Sequence, residues 1–362
     1  MKHSAVLLTA AALSITVPRD ASTQPTTNIY LSHNLVSDLR GFAERFDPNL
    51  VNPWGIAFSP AGPFWISDNH SGVATVYDAQ GRSLPAGDPL VVTIPPPAGG
   101  MPPAAPTGVV FNGTANFTVA SGKPAFFIFA TEDGTISGWN PSVDATHAIL
   151  KVDKSGSGAV YKGLAMGHQA SGDSLYATNF FSGNVDVFDA SFAPSGSFTD
   201  APLAALGFAP FGIRNLAGKL YVTFAKQDAD KHDDEAGPGN GYVDIFDTDG
   251  TFVKRLISNG VLNSPWGIAP APANFGGLSG SLLIGNFGDG TIHGFDPATG
   301  ALVGQMLIPS GRPLSIQGLW GLTFGNGGQG GDPGVLYFTA GIPGPGQVED
   351  HGLFGQIRPQ NP

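Results

Sequence analysis

The sequence contains no cysteine. Disulfide bonds, zinc sites with thiolate ligands and cysteine nucleophiles are therefore excluded. Charged residues are also scarce: they make up 12% of the chain, and the formal net charge is -11. Nucleic acids and anionic membranes are recognised by clustered lysine and arginine, so we expect neither as a partner. No segment beyond the N-terminal region is apolar for long enough to span a bilayer, and we expect no membrane span.

The N-terminal region has the features of a secretory signal. A weakly basic start, Lys2 and His3, precedes an apolar run over residues 5–17 that is too short to cross a bilayer. Pro18 ends this run, and small residues follow. We therefore expect a signal peptide over residues 1–21, a short linker over 22–27, and a secreted protein with a periplasmic or extracellular location.

Turn-forming residues are abundant, with 52 glycines and 31 prolines. Such a composition disfavours long helices and favours short strands joined by many turns. One unit can indeed be read six times, at intervals of roughly 50 residues, and periods of this size are typical of propellers. Each unit opens with a glycine that starts an apolar strand: Gly55, Gly108, Gly163, Gly212, Gly267 and Gly321. A second strand follows, and a later glycine begins a third: Gly72, Gly134, Gly183, Gly241, Gly290 and Gly352.

A fourth strand follows in most units, but the sixth unit ends at Pro359 with no room for one. A spare strand precedes the first unit, over residues 28–36. Pairing of this strand with the last blade would close the ring and protect its open edge. The sequence therefore predicts an all-β fold: a single six-bladed β-propeller over residues 28–359, with blades starting near residues 54, 107, 162, 211, 266 and 320.

In propellers of this connectivity the first strand of each blade lines a central channel, so the residues before the six glycines should ring one channel mouth. Four of them are aromatic and one is a lysine, which gives a set of candidate ligand-binding residues: Trp54, Lys162, Phe211, Trp266 and Trp320. One interpretation is an apolar funnel for a ring-bearing ligand; the other is packing between blades. A lysine directed into a channel is uncommon without a partner.

An acidic loop in the fourth unit is a candidate metal site. Its carboxylates repel one another unless a cation or basic side chains neutralise them. We expect Ca²⁺ or another divalent metal as the cofactor; the alternative is a solvated loop in which Lys226 and Lys231 supply the positive charge. The candidate ligands in this loop are Asp228, Asp230, Asp233 and Asp234.

Three histidines fall in loops on the same face: His70, His232 and His351. With carboxylates nearby, any of them could act as a general base or as a ligand of a transition metal. They are the candidate catalytic residues.

Several segments resemble a family of exported, mostly bacterial six-bladed propeller proteins. The opening over residues 34–38 and 47–57, the central segments 225–229 and 239–244, and the last blade over 336–341 carry the resemblance. It implies the propeller fold and export, and it implies no activity.

More distantly, the repeated Pro-x-Gly-Ile-Ala segments resemble NHL-type propellers, whose relatives include calcium-dependent lactonases of the gluconolactonase and paraoxonase type. Those lactonases hold a metal in the channel with Glu, Asn and Asp side chains. Residues of suitable type and loop position in this chain are Asn52, Glu132, Asn179 and Asn286. The resemblance is one of fold, and fold does not imply function.

Three functions remain open from the sequence. The leading hypothesis is a monomeric protein that binds a small molecule, peptide or polymer at the channel mouth, with or without Ca²⁺. The rival is a metal-dependent hydrolase or lyase of the lactonase-like type. The third is a scaffold whose mouth face contacts another protein.

Overall fold

The computed structural model describes Met1 and residues 28–345 and 348–360. The expected signal peptide (1–21) and linker (22–27) lie almost wholly outside these residues. The described chain forms six antiparallel sheets arranged as blades around a channel, so the predicted six-bladed propeller is confirmed. None of the helices in this part of the chain has both the length and the apolar character that crossing a bilayer requires.

The strands follow the order read from the repeat. Before the first blade lie β1 (Tyr30–Ser37) and β2 (Arg45–Phe46). The first blade contains β3 (Pro53–Ala57), β4 (Phe64–Asp68), β5 (Val73–Tyr77) and β6 (Val91–Thr93). The second contains β7 (Pro106–Phe111), the small hairpin β8 (Thr118–Ala120) and β9 (Lys123–Pro124), then β10 (Phe127–Thr131), β11 (Thr135–Trp139) and β12 (Ile149–Asp153). The third contains β13 (Tyr161–Gln169), β14 (Gly172–Asn179), β15 (Asn184–Asp189) and β16 (Pro194–Phe198).

A short helix, α1 (Ala201–Ala205), leads into the fourth blade, and Asp200 caps it by accepting a hydrogen bond from the backbone N–H of Leu203. This blade contains β17 (Phe208–Leu216), β18 (Lys219–Lys226), β19 (Gly241–Asp247) and β20 (Phe252–Ser258). The fifth contains β21 (Pro265–Pro270), β22 (Leu282–Asn286), β23 (Ile292–Phe295) and β24 (Leu302–Gln305). The sixth contains β25 (Leu319–Phe324), β26 (Leu336–Ile342) and β27 (His351–Pro359). Single 3₁₀ turns occur at Ser155–Ser157 and Gly276–Leu278.

The N-terminal strand closes the ring as expected. β1 pairs antiparallel with β27, from Tyr30 opposite Pro359 to Ser37 opposite Leu353, and so becomes the outer strand of the last blade. Tyr30 is fully buried, and its hydroxyl donates a hydrogen bond to the carbonyl oxygen of Phe275 in the neighbouring blade (2.8 Å). The closure therefore combines a strand pairing with contacts between blades.

The first strands of the six blades (β3, β7, β13, β17, β21 and β25) lie next to one another around the channel. Their opening glycines allow this close approach: a Cβ atom on Gly55 would clash with the carbonyl oxygen of Thr107, and one on Gly212 with that of Trp266. Any other residue would push the neighbouring inner strand away. The glycine that recurs in each unit of the sequence is thus explained by the close packing of the inner strands in the channel wall.

Candidate functional site

The channel mouth is a cavity of about 480 Å³ at the end where the inner strands begin. We call it the mouth cavity. Residues at the starts of inner strands form its floor, and loops between second and third strands form its sides. Its lining residues are Asn52, Trp54, Asn69, His70, Glu132, Lys162, His232, Asp233, Asp234, Phe287, Trp320, Val348 and Glu349.

Lys162, the second residue of β13, lies at the centre of this cavity. Its side chain is only 2% exposed, and its ammonium forms ion pairs with Glu132 and with Asp233 (3.1 Å to Oδ1). Burial alone would lower the pKa of Lys162, but the attraction of Glu132 and Asp233 outweighs burial and raises it. The lysine is therefore charged, and Glu132 and Asp233 are the partners that a lysine in this position was expected to have.

A chain of hydrogen bonds runs from Glu132 to the last blade. The amide of Asn69 donates to Glu132 Oε2 (2.9 Å), and the amide of Asn52 donates to Asn69 Oδ1 (3.4 Å) and to Glu349 Oε1 (2.9 Å). Trp320 Nε1 donates to Asn52 Oδ1 (3.2 Å). Because every link joins a different loop or strand, the network fixes the relative positions of the loops around the mouth.

Two residues of this network have an unusual backbone. Asn52 and Glu349 both adopt left-handed conformations, with φ of 50° and 82°. Asparagine tolerates this region, whereas glutamate rarely adopts it. Such strain is found at functional sites, where the surrounding contacts hold it in place.

His232 and Asp233 lie in the long loop between β18 and β19. His232 Nδ1 is 3.0 Å from Asp233 Oδ1, and this hydrogen bond raises the pKa of the histidine and lowers that of the aspartate well below its usual range. One ligand atom each from Glu132, His232 and Asp233 lie within 4.8 Å of one another. An imidazole and two carboxylates at this spacing can hold a divalent metal.

Acidic side chains outnumber basic ones in the mouth cavity. Four carboxyl groups line it (Glu132, Asp233, Asp234 and Glu349), against the ammonium of Lys162 and the imidazoles of His70 and His232. Burial raises the pKa of Asp234, and burial together with the charge of Glu132 raises the pKa of Glu349 to about 7. Both shifts reflect the cost of placing further negative charge here.

One buried donor of the mouth, Trp54 Nε1, has no hydrogen-bond partner among the described residues. Buried polar groups are nearly always paired, and an unpaired one calls for a ligand, an ion or a water molecule. The mouth thus offers a free hydrogen-bond donor.

The predicted aromatic ring forms a cluster that fills the channel below the mouth. Trp54 stacks on Trp320 with ring centroids 3.5 Å apart, and Trp320 stacks on Phe287 at 4.0 Å. Phe211 packs against Trp320 at 5.7 Å. Trp54, Phe211 and Trp320 are at most 2% exposed, which agrees with the packing alternative; their role as a ligand funnel stays a prediction. Trp266 packs edge-on against Trp54 (6.3 Å) and Trp320 (5.8 Å), and it also lines a different cavity.

The structure does not bring all predicted metal ligands together. Asn179 and Asn286 hydrogen-bond within their own blades, to Asp186 and to Thr291 among others, and neither lines the mouth cavity. In the acidic loop, Asp228 accepts a hydrogen bond from the backbone N–H of His232 (2.9 Å), and Asp230 is exposed. Of the four carboxylates predicted as ligands in that loop, only Asp233 joins a candidate metal group among the described residues.

The three candidate catalytic histidines have different surroundings. His232 and His70 line the mouth cavity, and His70 is exposed. His351 lies outside this cavity, and its Nδ1 is 2.7 Å from Asp38 Oδ2, so that it joins β27 to the segment after β1. Sequence reasoning did not select Asn69 and Glu349 as site residues; the available signal was their position in loops between second and third strands.

Comparison with known proteins finds relatives of this chain among the proteins of a virus. The uncharacterised proteins R648 and L690 of Acanthamoeba polyphaga mimivirus are 38% and 35% identical to this chain over 300 and 301 residues. These alignments cover 80% of this chain and 72% and 77% of the viral proteins. No protein-family profile matches the chain.

Among solved structures, virginiamycin B lyase from Staphylococcus aureus matches 91% of this chain and 98% of its own length, with a TM-score of 0.51 and 14% identity. A gluconolactonase from Xanthomonas campestris matches 86% of both chains, with a TM-score of 0.50 and 14% identity. The fold-level resemblance to gluconolactonase-type propellers is therefore confirmed. At this identity the likeness concerns the fold alone.

Proposed function

The chain belongs to the family of the mimivirus proteins R648 and L690, and we propose that it binds a divalent cation at the channel mouth and uses it to hold a small oxygen-bearing ligand. Glu132, His232 and Asp233 are the protein ligands. Three protein ligands leave coordination positions open, and such positions accept water or a ligand oxygen.

The observation that carries this proposal is the convergence of one imidazole and two carboxylates within 4.8 Å in a cavity where acidic side chains outnumber basic ones. A divalent cation would offset this excess of carboxyl groups, which Lys162 alone does not balance. It would also explain why the carboxylates of Asp234 and Glu349 are tolerated at the same mouth.

The kind of cation follows from the donor set. Ca²⁺ takes six to eight oxygen ligands, whereas imidazole favours transition metals such as Zn²⁺ and carboxylate suits Mn²⁺. A mixed set of one histidine and two carboxylates therefore favours Mn²⁺ or Zn²⁺ over Ca²⁺. The unpaired Trp54 Nε1 supplies a hydrogen-bond donor for a ligand held beside the cation.

The test is calorimetric titration of Mn²⁺ into the metal-free protein and two variants. We expect one ion per chain for the unmodified protein and for Asp230→Asn, an exposed carboxylate of the same loop. His232→Ala should weaken Mn²⁺ binding by at least about tenfold. Equal Mn²⁺ affinity in all three proteins, or no binding to any, would contradict the proposal.

A second candidate function is that of a metal-dependent hydrolase or lyase of the lactonase-like type. The position and the pKa of Glu349 favour it. This carboxyl lines the same cavity, and its pKa of about 7 suits a group that exchanges protons at neutral pH. A screen of lactones and esters tests it: turnover that Glu349→Gln abolishes while Mn²⁺ still binds would support catalysis. Absence of turnover with every substrate would contradict catalysis, and ligand binding would then be the remaining function.

A further inference from the structure

A second cavity, of about 410 Å³, lies at the other end of the channel. We call it the far cavity. Its walls come from the later residues of the inner strands, whereas the mouth cavity begins at their first residues. Because the inner strands run in the same direction around the channel, the two cavities lie at opposite ends, with the aromatic cluster between them. The walls of the far cavity combine polar groups, among them Asn215 and Thr323, with apolar side chains, which include Ile56, Val109, Met166, Ile213, Ile268 and Leu322.

Among the described residues, Arg214 of β17 is the only one with a charged side chain that lines this cavity. The repeat explains why it is unexpected: it is the second residue after the opening glycine of its blade. At this position the other blades carry smaller, uncharged residues: Ala57, Val110, Ala165, Ala269 and Thr323. The arginine is thus a departure of one blade from the pattern of the channel wall.

No carboxylate balances this arginine. None lines the far cavity, and none of the described residues forms an ion pair with Arg214. Burial lowers the pKa of the guanidinium to about 10, which still leaves it charged at neutral pH. Arg214 is half-buried, and an arginine in apolar surroundings is normally paired with an anion, because removing a charge from water without a counter-charge is costly.

The hydrogen bonds of Arg214 leave donors free. Nη1 donates to the carbonyl oxygens of Ile268 (2.6 Å) and Leu322 (2.9 Å), and Nη2 donates to Thr323 Oγ1 (3.3 Å). These contacts hold the guanidinium across the channel from β17 to β21 and β25. A guanidinium has five N–H donors, so donors remain for an incoming anion.

We infer that the far cavity binds a small carboxylate with an apolar body, whose carboxylate accepts hydrogen bonds from Arg214 while its body contacts the apolar walls. Guanidinium and carboxylate are complementary in charge and geometry. The volume of the cavity lies within the range of small-molecule pockets. This site is separate from the mouth cavity, and it does not depend on the proposed metal.

The first experiment compares three probes on the unmodified protein by calorimetry: decanoate and decyltrimethylammonium, each below its micelle concentration, and decanol below its solubility limit. The three carry unbranched apolar chains of nine or ten carbons, and their head groups are anionic, cationic and neutral. We expect decanoate to bind one per chain and at least about tenfold more tightly than the other two. Equal affinity for decanoate and decanol, or no binding of decanoate, would overturn the inference.

Variants then locate the binding. Arg214→Met keeps an unbranched side chain but removes the guanidinium and its charge, and it should weaken decanoate binding at least about tenfold while leaving decanol unchanged. Arg312→Met, at an exposed arginine outside the cavity, is the control and should bind decanoate like the unmodified protein. If Arg214→Met does not fold, Met166→Trp, which fills the cavity and retains the arginine, should abolish decanoate binding. Full decanoate binding in Met166→Trp or in Arg214→Met would overturn the inference.

Discussion

The two ends of the channel are built on the same six strands but differ in charge and in origin. In the part of the chain that the structure describes, four carboxyl groups line the mouth cavity together with Lys162, whereas one arginine and no carboxylate line the far cavity. Loops between second and third strands supply most polar groups of the mouth. The far cavity is lined by strand residues, and its charge comes from a single substitution in the repeat.

This difference indicates where a propeller can place polar and charged side chains. A loop can change length and composition without disturbing the blades, so polar groups accumulate at the end where loops converge. A strand residue must fit against its neighbours, and at the position two residues after the opening glycine the other five blades carry small or apolar residues where β17 carries Arg214. A charge on the wall is therefore more informative than a charge in a loop, because the packing around it has to accommodate it.

The aromatic cluster keeps the two ends separate, and its removal should have the largest effect. Trp320 is 1% exposed and stacks on both Trp54 and Phe287. We expect Trp320→Ala to lower the free energy of unfolding by about 3–5 kcal/mol, as large core truncations do. Chemical denaturation measures it, with Phe126→Ala, at a 44% exposed ring, as the control. A loss below about 1 kcal/mol would favour the ligand-funnel interpretation over packing.

The charge balance of the mouth can be broken at Lys162. Lys162→Met leaves Glu132 without its ammonium partner, and we expect a loss of roughly 3 kcal/mol in the free energy of unfolding. The double variant Lys162→Met/Glu132→Gln should recover much of that loss. We expect bound Mn²⁺ to stabilise Lys162→Met more than the unmodified protein, because the cation then replaces the missing ammonium beside Glu132. A single variant as stable as the double would show that the ion pair does not balance the mouth.

The two ends should also differ in their response to pH. The pKa of Glu349 is about 7 in the folded protein and lies well above its ordinary value. The protonated form therefore favours folding: this contribution is fully present below the ordinary glutamate pKa and is lost as pH rises through 7. Arg214, with a pKa of about 10, keeps its charge over the same range.

Thermal unfolding between pH 5 and 8 measures this effect. We expect the unmodified protein to lose more stability over that range than Glu349→Gln. Asp244, whose pKa burial also raises to about 7, titrates in both proteins, so the difference between the two profiles isolates Glu349. Parallel profiles would mean that the mouth does not destabilise the charged form of Glu349.

The smallest effect is expected at Asp230. This carboxylate is exposed and belongs to no candidate metal group, so Asp230→Asn should change the free energy of unfolding by no more than about 0.5 kcal/mol. Its Mn²⁺ affinity should equal that of the unmodified protein. Loss of metal binding in Asp230→Asn would favour the acidic loop as a calcium site and move the metal away from Glu132.

Periodicity predicted the fold well, because the blade repeat is a local packing requirement. Gly55 and Gly212 allow the inner strands to touch, and this requirement recurs once in each blade. The missing last strand and the spare first strand predicted the pairing of β1 with β27, with the observed strand at Tyr30–Ser37 instead of residues 28–36.

The site was predicted only in part. The sequence placed Glu132, Lys162 and Asp233 on one face, but it could not show that Lys162 joins the other two, since they come from three different blades. Asn179 and Asn286 have a suitable type and position, yet their side chains bond within their own blades. The role of Arg214 could not be predicted from the sequence, because it depends on the absence of a carboxylate among the described residues around it, which only the folded chain shows.

The most direct test of this account is a paired titration of the unmodified protein, His232→Ala and Arg214→Met with Mn²⁺ and with decanoate. We predict a reciprocal pattern: His232→Ala loses Mn²⁺ and keeps decanoate, whereas Arg214→Met loses decanoate and keeps Mn²⁺. The unmodified protein should bind both at once, with neither changing the affinity of the other. Competition between the two ligands, or loss of both in either folded variant, would contradict two separate sites at opposite ends of the channel.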